Sequence, residues 1–276
     1  MKLLHSIVLL IISVTFLTAC SKYSKIENSK DINYKLAKAD EYYANKNYRK
    51  AQTLYEGLFA AYKGSEKFEE LYYKWANTYY LLEMYPEAQN FYKGFLETFP
   101  NSKYAEEVDF QRAYSFYKQS PRIELEQVNT IKAMGQLQTF INQHPNSNRI
   151  QLASETIDLA REKLEVKDYR AAKLFFDIGH FRAASLAFAE ITNNYPESKR
   201  GDEYFNMVVK SNYKFAKLSA LEKQLERYEE VVNSYQDFQD RYPESKLLKD
   251  SEQYNNLSLS QIKEIKNEQV TSSVKL

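Results

Sequence analysis

Apolar residues recur along most of the chain at spacings of three and four, which is the period of one face of an α-helix. Within these stretches a small residue is repeatedly followed three positions later by an aromatic one, as in Ala39 with Tyr42 and Ala76 with Tyr79. Short polar breaks separate the stretches. The pattern therefore predicts a succession of amphipathic helices.

Four short signatures of one kind divide these helices. Each consists of an aromatic or His residue, Pro, a polar residue and Ser: Phe99-Pro100-Asn101-Ser102, His144-Pro145-Asn146-Ser147, Tyr195-Pro196-Glu197-Ser198 and Tyr242-Pro243-Glu244-Ser245. Pro ends a helix because it pushes the preceding residue out of the α region. The Ser two places later can cap the next helix. The signatures thus predict helices that stop and restart in pairs.

The residues before each Pro follow the tetratricopeptide pattern, in which small residues allow two helices to cross closely and aromatic residues fill the gaps. The second repeat shows it fully, with Ala76, Tyr79, Ala88, Tyr92, Phe95 and Pro100. The first has Ala39, Tyr42, Ala51 and Tyr55, with Lys63 in place of Pro, and the fourth has Ala172, Phe175, Ala184, Phe188 and Pro196. The third (Ala113, Phe116, Ala133, Leu137, Pro145) carries about eight extra residues around Pro121. The fifth (Tyr228, Val231, Tyr235, Phe238, Pro243) has Val where Ala is usual.

We therefore predict an all-α fold, a right-handed superhelical solenoid of about five tetratricopeptide-type helix pairs. The predicted segments are a signal peptide at 1–19, a lipidated N-terminus and tether at 20–31, and the solenoid at 32–266. Within the solenoid the repeats span approximately 32–65, 66–102, 103–147, 148–198 and 199–245, followed by a capping helix at 246–266 and a flexible tail at 267–276. Residues 149–166 add helical sequence, either as a separate helix or as part of a long first helix of the fourth repeat.

The N-terminal sequence predicts a secretion signal followed by a site of lipid attachment. Lys2 precedes a short apolar run, residues 7–17, which is too short for the ~20 residues of a spanning helix and is typical of a secretory signal. The run ends in Leu-Thr-Ala before Cys20, the only Cys, and this resembles a bacterial lipobox, in which Cys becomes the lipidated N-terminus. By resemblance to lipoprotein sorting, Ser21 after the Cys favours the outer membrane. Residues 22–25 lack an acidic surface-export cluster, so we expect the protein to face the periplasm.

Composition excludes several classes of function. Six Gly and six Pro are too few for an all-β protein, and 38 basic against 37 acidic residues do not indicate a nucleic-acid binder. There is no phosphate-binding Gly loop, nucleophile elbow or metal-ligand cluster in the sequence. His144 belongs to a Pro signature and His180 to a turn. We predict no enzymatic activity, no metal site and no cofactor beyond the lipid on Cys20.

The first helices of the first three repeats predict a binding groove. Superposing the repeats on Ala39, Ala76 and Ala113 aligns Tyr42, Tyr79 and Phe116, which we expect to pack between helices, as we do the lone Trp75. In the tetratricopeptide register, other aligned positions fall on the groove side and suit an extended peptide or a partner helix; the alternative is that they pack against the neighbouring repeat as core. The candidates are Asp40, Tyr43, Tyr73, Asn77, Tyr80, Phe110, Tyr114 and Tyr117.

With its lipobox, its length, about five repeats and four Pro-x-Ser signatures, the chain resembles the BamD family, lipoproteins of the outer-membrane β-barrel assembly machinery. The resemblance covers essentially the whole mature chain. It implies that the C-terminal repeats, roughly residues 167–249, hold the periplasmic domains of the barrel-forming subunit BamA. It also implies that the N-terminal groove receives unfolded outer-membrane proteins, whose C-terminal signal usually ends in an aromatic residue.

Two alternatives come from other classes of protein. One is another periplasmic tetratricopeptide adaptor, such as a Tol–Pal or cell-wall scaffold, although such proteins often carry a coiled-coil segment that this sequence lacks. The other is a glycan-binding lipoprotein of the SusD type, a class about twice as long with large insertions.

Overall fold

The computed structural model describes residues 23–274, with side chains to residue 270. This part of the chain holds no strand; it forms a helical turn at 23–27 and then eleven helices. They are α1 Ile32–Ala44, α2 Tyr48–Tyr62, α3 Phe68–Leu81, α4 Tyr85–Thr98, α5 Ala105–Lys118, α6 Val128–Gln143, α7 Ile150–Asp177, α8 Phe181–Asn194, α9 Gly201–Lys217, α10 Leu221–Arg241 and α11 Leu248–Val274. The prediction of an all-α chain is confirmed.

Helices adjacent in sequence pack against each other, from α1 on α2 to α5 on α6 and from α8 on α9 to α10 on α11. The close approach depends on small residues, because Ala39, Ala51, Ala76 and Ala88 are all completely buried. A larger side chain at these positions would push the helix axes apart. The small residues of the repeat pattern thus lie where the pattern places them.

Two compact units divide the chain, and the division falls within α7, between Ala160 and Arg161. In the N-terminal unit the main core contains fully buried Tyr55, Tyr92 and Phe95, and Trp75 is 7% exposed, in agreement with its predicted packing role. The C-terminal unit has its own cores, which include the fully buried rings of Phe188 and Phe238.

Three of the turns within helix pairs share one backbone geometry. Lys46, Glu83 and Gly179 each have a left-handed φ, of 59°, 60° and 82°. The N–H of Lys46 donates to the carbonyl of Tyr43, and the N–H of Glu83 donates to the carbonyl of Tyr80. In both turns the N–H of the next residue donates to the carbonyl one position earlier in the helix. This is the Schellman arrangement, which satisfies the last carbonyls of a helix and favours glycine at the left-handed position. Only the fourth repeat has that glycine.

Each signature serine joins two helices. Its hydroxyl oxygen accepts the backbone N–H two residues later at 3.0–3.1 Å, so it closes the turn that leads into the next helix. The N-cap residues of α5 and α9 are Tyr104 and Arg200, two positions after the serines. The serines therefore close the turn before each helix and do not cap the helix directly, contrary to the prediction from the sequence. The hydroxyl also donates to a carboxylate of an earlier helix: Ser102 to Glu69, Ser147 to Glu106, Ser198 to Glu165 and Ser245 to Asp202.

The structure decides between the two predicted alternatives for residues 149–166. They lead into one long helix and not a separate one, since α7 runs unbroken over 28 residues that contain neither Gly nor Pro. The long turn of the third repeat is present between α5 and α6, at 119–127. The last helix continues to Val274, beyond the predicted end at 266 and into the predicted tail.

The predicted tether is partly docked. Residues 23–27 form a helical turn in which Ile26 is only 8% exposed and belongs to the main core of the N-terminal unit. The Tyr23 ring packs edge-on against Tyr42, with centroids 5.9 Å apart. Two apolar side chains therefore fix this segment, which reads in the sequence only as a polar, Ser- and Lys-rich stretch. The signal peptide and Cys20 lie outside the described residues.

Candidate functional site

Tyrosines from α1, α3 and α5 gather on one side of the N-terminal unit. Tyr43, Tyr73, Tyr80, Tyr114 and Tyr117 are all half-buried, and we call them the tyrosine face. Their hydroxyls are close enough to influence one another electrostatically, Tyr73 with Tyr43 and Tyr80 with Tyr114. The helices thus bring together five of the eight predicted groove residues.

Ring packing holds these side chains in place. Tyr73 stacks on Tyr104 with centroids 4.1 Å apart and planes at 5°. Tyr80 meets Tyr85 edge-on at 5.6 Å, and Tyr114 packs against Tyr117 at 5.6 Å. Half-buried rings fixed by neighbouring rings lose little conformational entropy when they receive a ligand.

Asn77 and Phe110 do not lie on this surface, which corrects their predicted place in the groove. Phe110 is 3% exposed, because it packs on Phe140 of α6, the second helix of its own pair, with centroids 5.4 Å apart. Asn77 is 6% exposed and donates to the Tyr43 hydroxyl at 2.5 Å. Both support the tyrosine face from beneath.

A polar network runs under the face. The hydroxyl of the fully buried Tyr92 donates to Asn77 Oδ1 at 2.8 Å, and the Gln111 side chain is its other partner. Gln111 Nε2 donates to Glu107 at 2.7 Å, and Arg149 binds that carboxylate through both Nε and Nη2, at 3.1 and 2.7 Å. Because buried polar groups are costly when unpaired, this chain of bonds fixes the relative position of the helices that carry it.

Asp40 has internal partners as well. Its Oδ1 accepts from the Tyr55 hydroxyl at 2.7 Å and from Lys74 Nζ at 2.8 Å. Lys74 also pairs with Glu70 at 2.7 Å. This group lines a small cavity of about 170 Å³, bounded on its apolar side by Leu36 and Leu71. Asp40 therefore has less capacity left for a ligand than an unpaired carboxylate.

Burial raises the pKa of three hydroxyls of the face. Desolvation, with Tyr114 and Tyr85 nearby, raises the pKa of Tyr80 to about 12. Desolvation also raises the pKa of Tyr43 and of Tyr73. Tyrosine is neutral at physiological pH, and burial moves its ionisation further from that range, so the face presents neutral rings and hydroxyls, which suit apolar and aromatic ligand groups.

The packing residues predicted from the repeat alignment lie near the core. Tyr79 is buried at 8% exposure, and Tyr42 and Phe116 are half-buried. Sequence reasoning missed Gln111, Glu107 and Arg149, which carry the network from α5 to the start of α7. The repeat alignment does not single them out.

Within residues 23–274 no group of His, Cys, Asp and Glu side chains could hold a metal ion. No helix in the same range is both long enough and apolar enough to cross a bilayer.

The paired helices, their buried alanines at the crossings and their aromatic residues at repeat spacing define a protein of tetratricopeptide-type helix pairs. A family model described as YfiO, outer membrane lipoprotein, matches residues 28–225. The chain belongs to this family of outer membrane lipoproteins, as the predicted resemblance to the BamD family requires.

Among solved structures, the chain is similar to the TPR2AB domain of yeast Sti1, solved as a complex with pHSP90. The two share 12% identity with a TM-score of 0.38, over 82% of this chain and 98% of that one. No curated protein matches the chain.

Proposed function

We propose that the chain is a non-enzymatic scaffold subunit of the machinery that assembles β-barrel proteins in the outer membrane. Membership of the outer membrane lipoprotein family carries this proposal, since the match extends over residues 28–225. The fold supports it, because stacked helix pairs expose side chains over extended surfaces that can bind other proteins. The function is therefore positional: the protein holds partners and substrates near the membrane.

The N-terminal unit would receive unfolded barrel proteins on the tyrosine face. Neutral rings with hydroxyls are suited to a segment that ends in an aromatic residue, since aromatic pairs add about 0.5–1.5 kcal/mol beyond burial. Three other predicted groove residues, Asp40, Asn77 and Phe110, would support the face and would not contact the bound segment there. Asp40 also lines the small cavity, where it could contact a ligand.

The C-terminal unit would hold the periplasmic domains of BamA, on a surface within residues 167–249. Large side chains exposed there include Leu186 at 64%, Leu218 at 73% and Leu221 at 80%. Burial of these side chains against a partner would remove apolar surface from water, which favours association.

The lipid on Cys20 would attach the protein to the outer membrane on its periplasmic side. Because Tyr23 is docked, only two residues, Ser21 and Lys22, lie between the lipidated residue and the folded unit, and the three residue steps reach about 10 Å. This attachment needs no basic surface patch, in keeping with the balanced charge of the chain.

The partner proposal is tested by purifying the full-length lipidated protein from native envelopes and identifying what accompanies it. We expect BamA and other assembly subunits. The absence of every barrel-assembly subunit would contradict the proposal.

The substrate proposal is tested with a synthetic peptide that ends in Phe, measured by fluorescence anisotropy on the purified protein. We expect Tyr80→Ala and Tyr117→Ala to weaken binding at least tenfold. Tyr34→Ala is the matched control, because Tyr34 lies on α1 outside the face and is 44% exposed. Equal weakening by the control, or no effect of either face variant, would refute this use of the face.

A further inference from the structure

A groove in the C-terminal unit has a chemistry that differs from that of the tyrosine face. It has a volume of about 690 Å³ and is lined by residues of α8, α9 and α10. Its apolar floor comes from α9, where Phe205 and Val208 are only half-buried. The ring of Phe205 is fixed by Phe238 and Tyr242, with centroids 6.1 and 5.6 Å away. A half-exposed, immobile aromatic floor can bind an apolar side chain without first being ordered.

The walls of the groove are low. Ala189 and Thr192 of α8 face Ser234 of α10 across the floor, and all three are small. Small side chains on two flanking helices allow another helix to approach to the usual interaxial distance of about 8–10 Å. The lining residues of α10 extend from Glu230 to Arg241, which is about 16 Å along the axis and therefore about three helical turns. The groove thus has the length and depth for one amphipathic helix.

The rim on α10 is acidic. Glu230, Asp237 and Asp240 line it and are exposed, and Arg241 at its end is the one basic residue among the lining side chains. In the described part of the chain, none of these three carboxylates takes part in a salt bridge, whereas the adjacent Glu229 pairs with Lys266 of α11 at 3.0 Å. The last helix is thus held on the Glu229 side of α10 and leaves the acidic rim open.

From this geometry we infer that the groove between α8 and α10 binds a basic amphipathic helix of a partner protein. The partner places Leu- or Phe-type side chains on Phe205 and Val208 and directs Lys or Arg towards Glu230, Asp237 and Asp240. Complementary charge accelerates association and selects the partner, while the apolar floor supplies the affinity. The groove lies within residues 167–249, the range proposed to hold BamA, but the inference goes beyond that proposal because it specifies the chemistry of the bound helix and holds for any partner that supplies it.

The test uses purified protein and two labelled synthetic helices of about 16 residues, a length at which a helix is marginally stable alone. Both carry the same Leu face, and their remaining positions are Lys-rich in one and Glu-rich in the other. We expect the basic helix to bind, with an affinity that falls as salt is raised, and the acidic helix to bind at least tenfold more weakly.

The variant Asp237→Lys with Asp240→Lys should weaken the basic helix at least tenfold. Both side chains are exposed, so the fold should be retained, and circular dichroism would confirm it. Glu252→Lys is the matched control, because Glu252 is an exposed acid of α11 in the same unit and does not line the groove. It should leave the affinity unchanged.

Three results would overturn the inference: no binding of the basic helix, equal binding of both helices, or equal weakening by the control. A fourth result would also overturn it. If sedimentation of the protein alone shows a dimer, and the Asp237→Lys with Asp240→Lys variant dissociates that dimer, the occupant of the groove is a second copy of the chain. None of these measurements involves BamA or barrel substrates, so their failure is distinct from a failure of the proposed function.

Discussion

Gly94 on α4 is a position where the core of the N-terminal unit leaves no room for a side chain. A Cβ there would lie 2.4 Å from the hydroxyl oxygen of Tyr72 but 3.7 Å from its Cζ. The Tyr72 ring cannot move aside easily, because it packs against Phe59 at 5.0 Å and Phe95 at 5.6 Å between centroids. The clash therefore involves one atom, the hydroxyl oxygen, and that atom can be removed by substitution.

Two opposing effects decide the result of Gly94→Ala. Alanine in a helix interior is favoured over glycine by about 1 kcal/mol. Overpacking of a dense core costs about 1–3 kcal/mol, and a contact of 2.4 Å belongs at the upper end. We expect a net destabilisation of about 1–2 kcal/mol.

The double variant Gly94→Ala with Tyr72→Phe should reverse this loss. Without the hydroxyl, the nearest ring atom to the new Cβ is at an ordinary contact distance, so only the helical preference for alanine remains. The double variant should then be about as stable as the original chain or up to about 1 kcal/mol more stable. Gly57→Ala on α2 is the control for that preference, since a Cβ there meets nothing within 4 Å.

Thermal unfolding followed by circular dichroism measures all four proteins, together with Tyr72→Phe alone. For a chain of this size 1 kcal/mol corresponds to about 2–4 °C in the midpoint. The reasoning is refuted if Gly94→Ala gains as much stability as Gly57→Ala, or if the double variant is no more stable than Gly94→Ala.

Three further predictions concern the tyrosine face and the anchor. Tyr92→Phe leaves Asn77 Oδ1 without its buried donor and should cost about 1–3 kcal/mol, read as a lower urea midpoint; an unchanged midpoint would show that the network carries no stability. The pKa of Tyr80 is raised to about 12 in the folded protein, so its neutral hydroxyl favours the folded state. This contribution to the free energy of unfolding is complete below about pH 10 and is lost as pH rises through about 12. Absorbance at alkaline pH should show this delayed ionisation, absent in Tyr80→Phe. Cys20→Ala should release a folded protein into the soluble fraction, and retention in membranes without any partner would contradict lipid anchoring.

Some turns could be predicted from the sequence and others could not. The Pro-x-Ser signatures predict the breaks between repeats, because proline disfavours the α conformation in the residue directly before it. The turns at Lys46 and Glu83 have the same geometry as the one at Gly179, but their residues do not reveal it. Helix packing on both sides imposes the left-handed conformation there, against the local preference.

The serines illustrate the same division. That Ser102 closes a turn follows from its place after Pro100, because the acceptor and the N–H lie two residues apart. That its hydroxyl binds Glu69 is a contact between different helices, and nothing in the local sequence specifies which carboxylate is in reach.

By itself, the sequence determined the helical fold, the repeat spacing and the crossing positions, because these depend on local periodicity and on residue size. Only the tertiary structure decided which aromatic residues form a surface. Tyr73 and Phe110 occupy the same position in the aligned repeats, yet Tyr73 is half-buried on the tyrosine face and Phe110 is 3% exposed in the core. The docking of Tyr23 and Ile26 and the acidic groove between α8 and α10 were likewise settled by packing. Exposure depends on what the neighbouring helices cover, and repeats of unequal length cover their neighbours unequally.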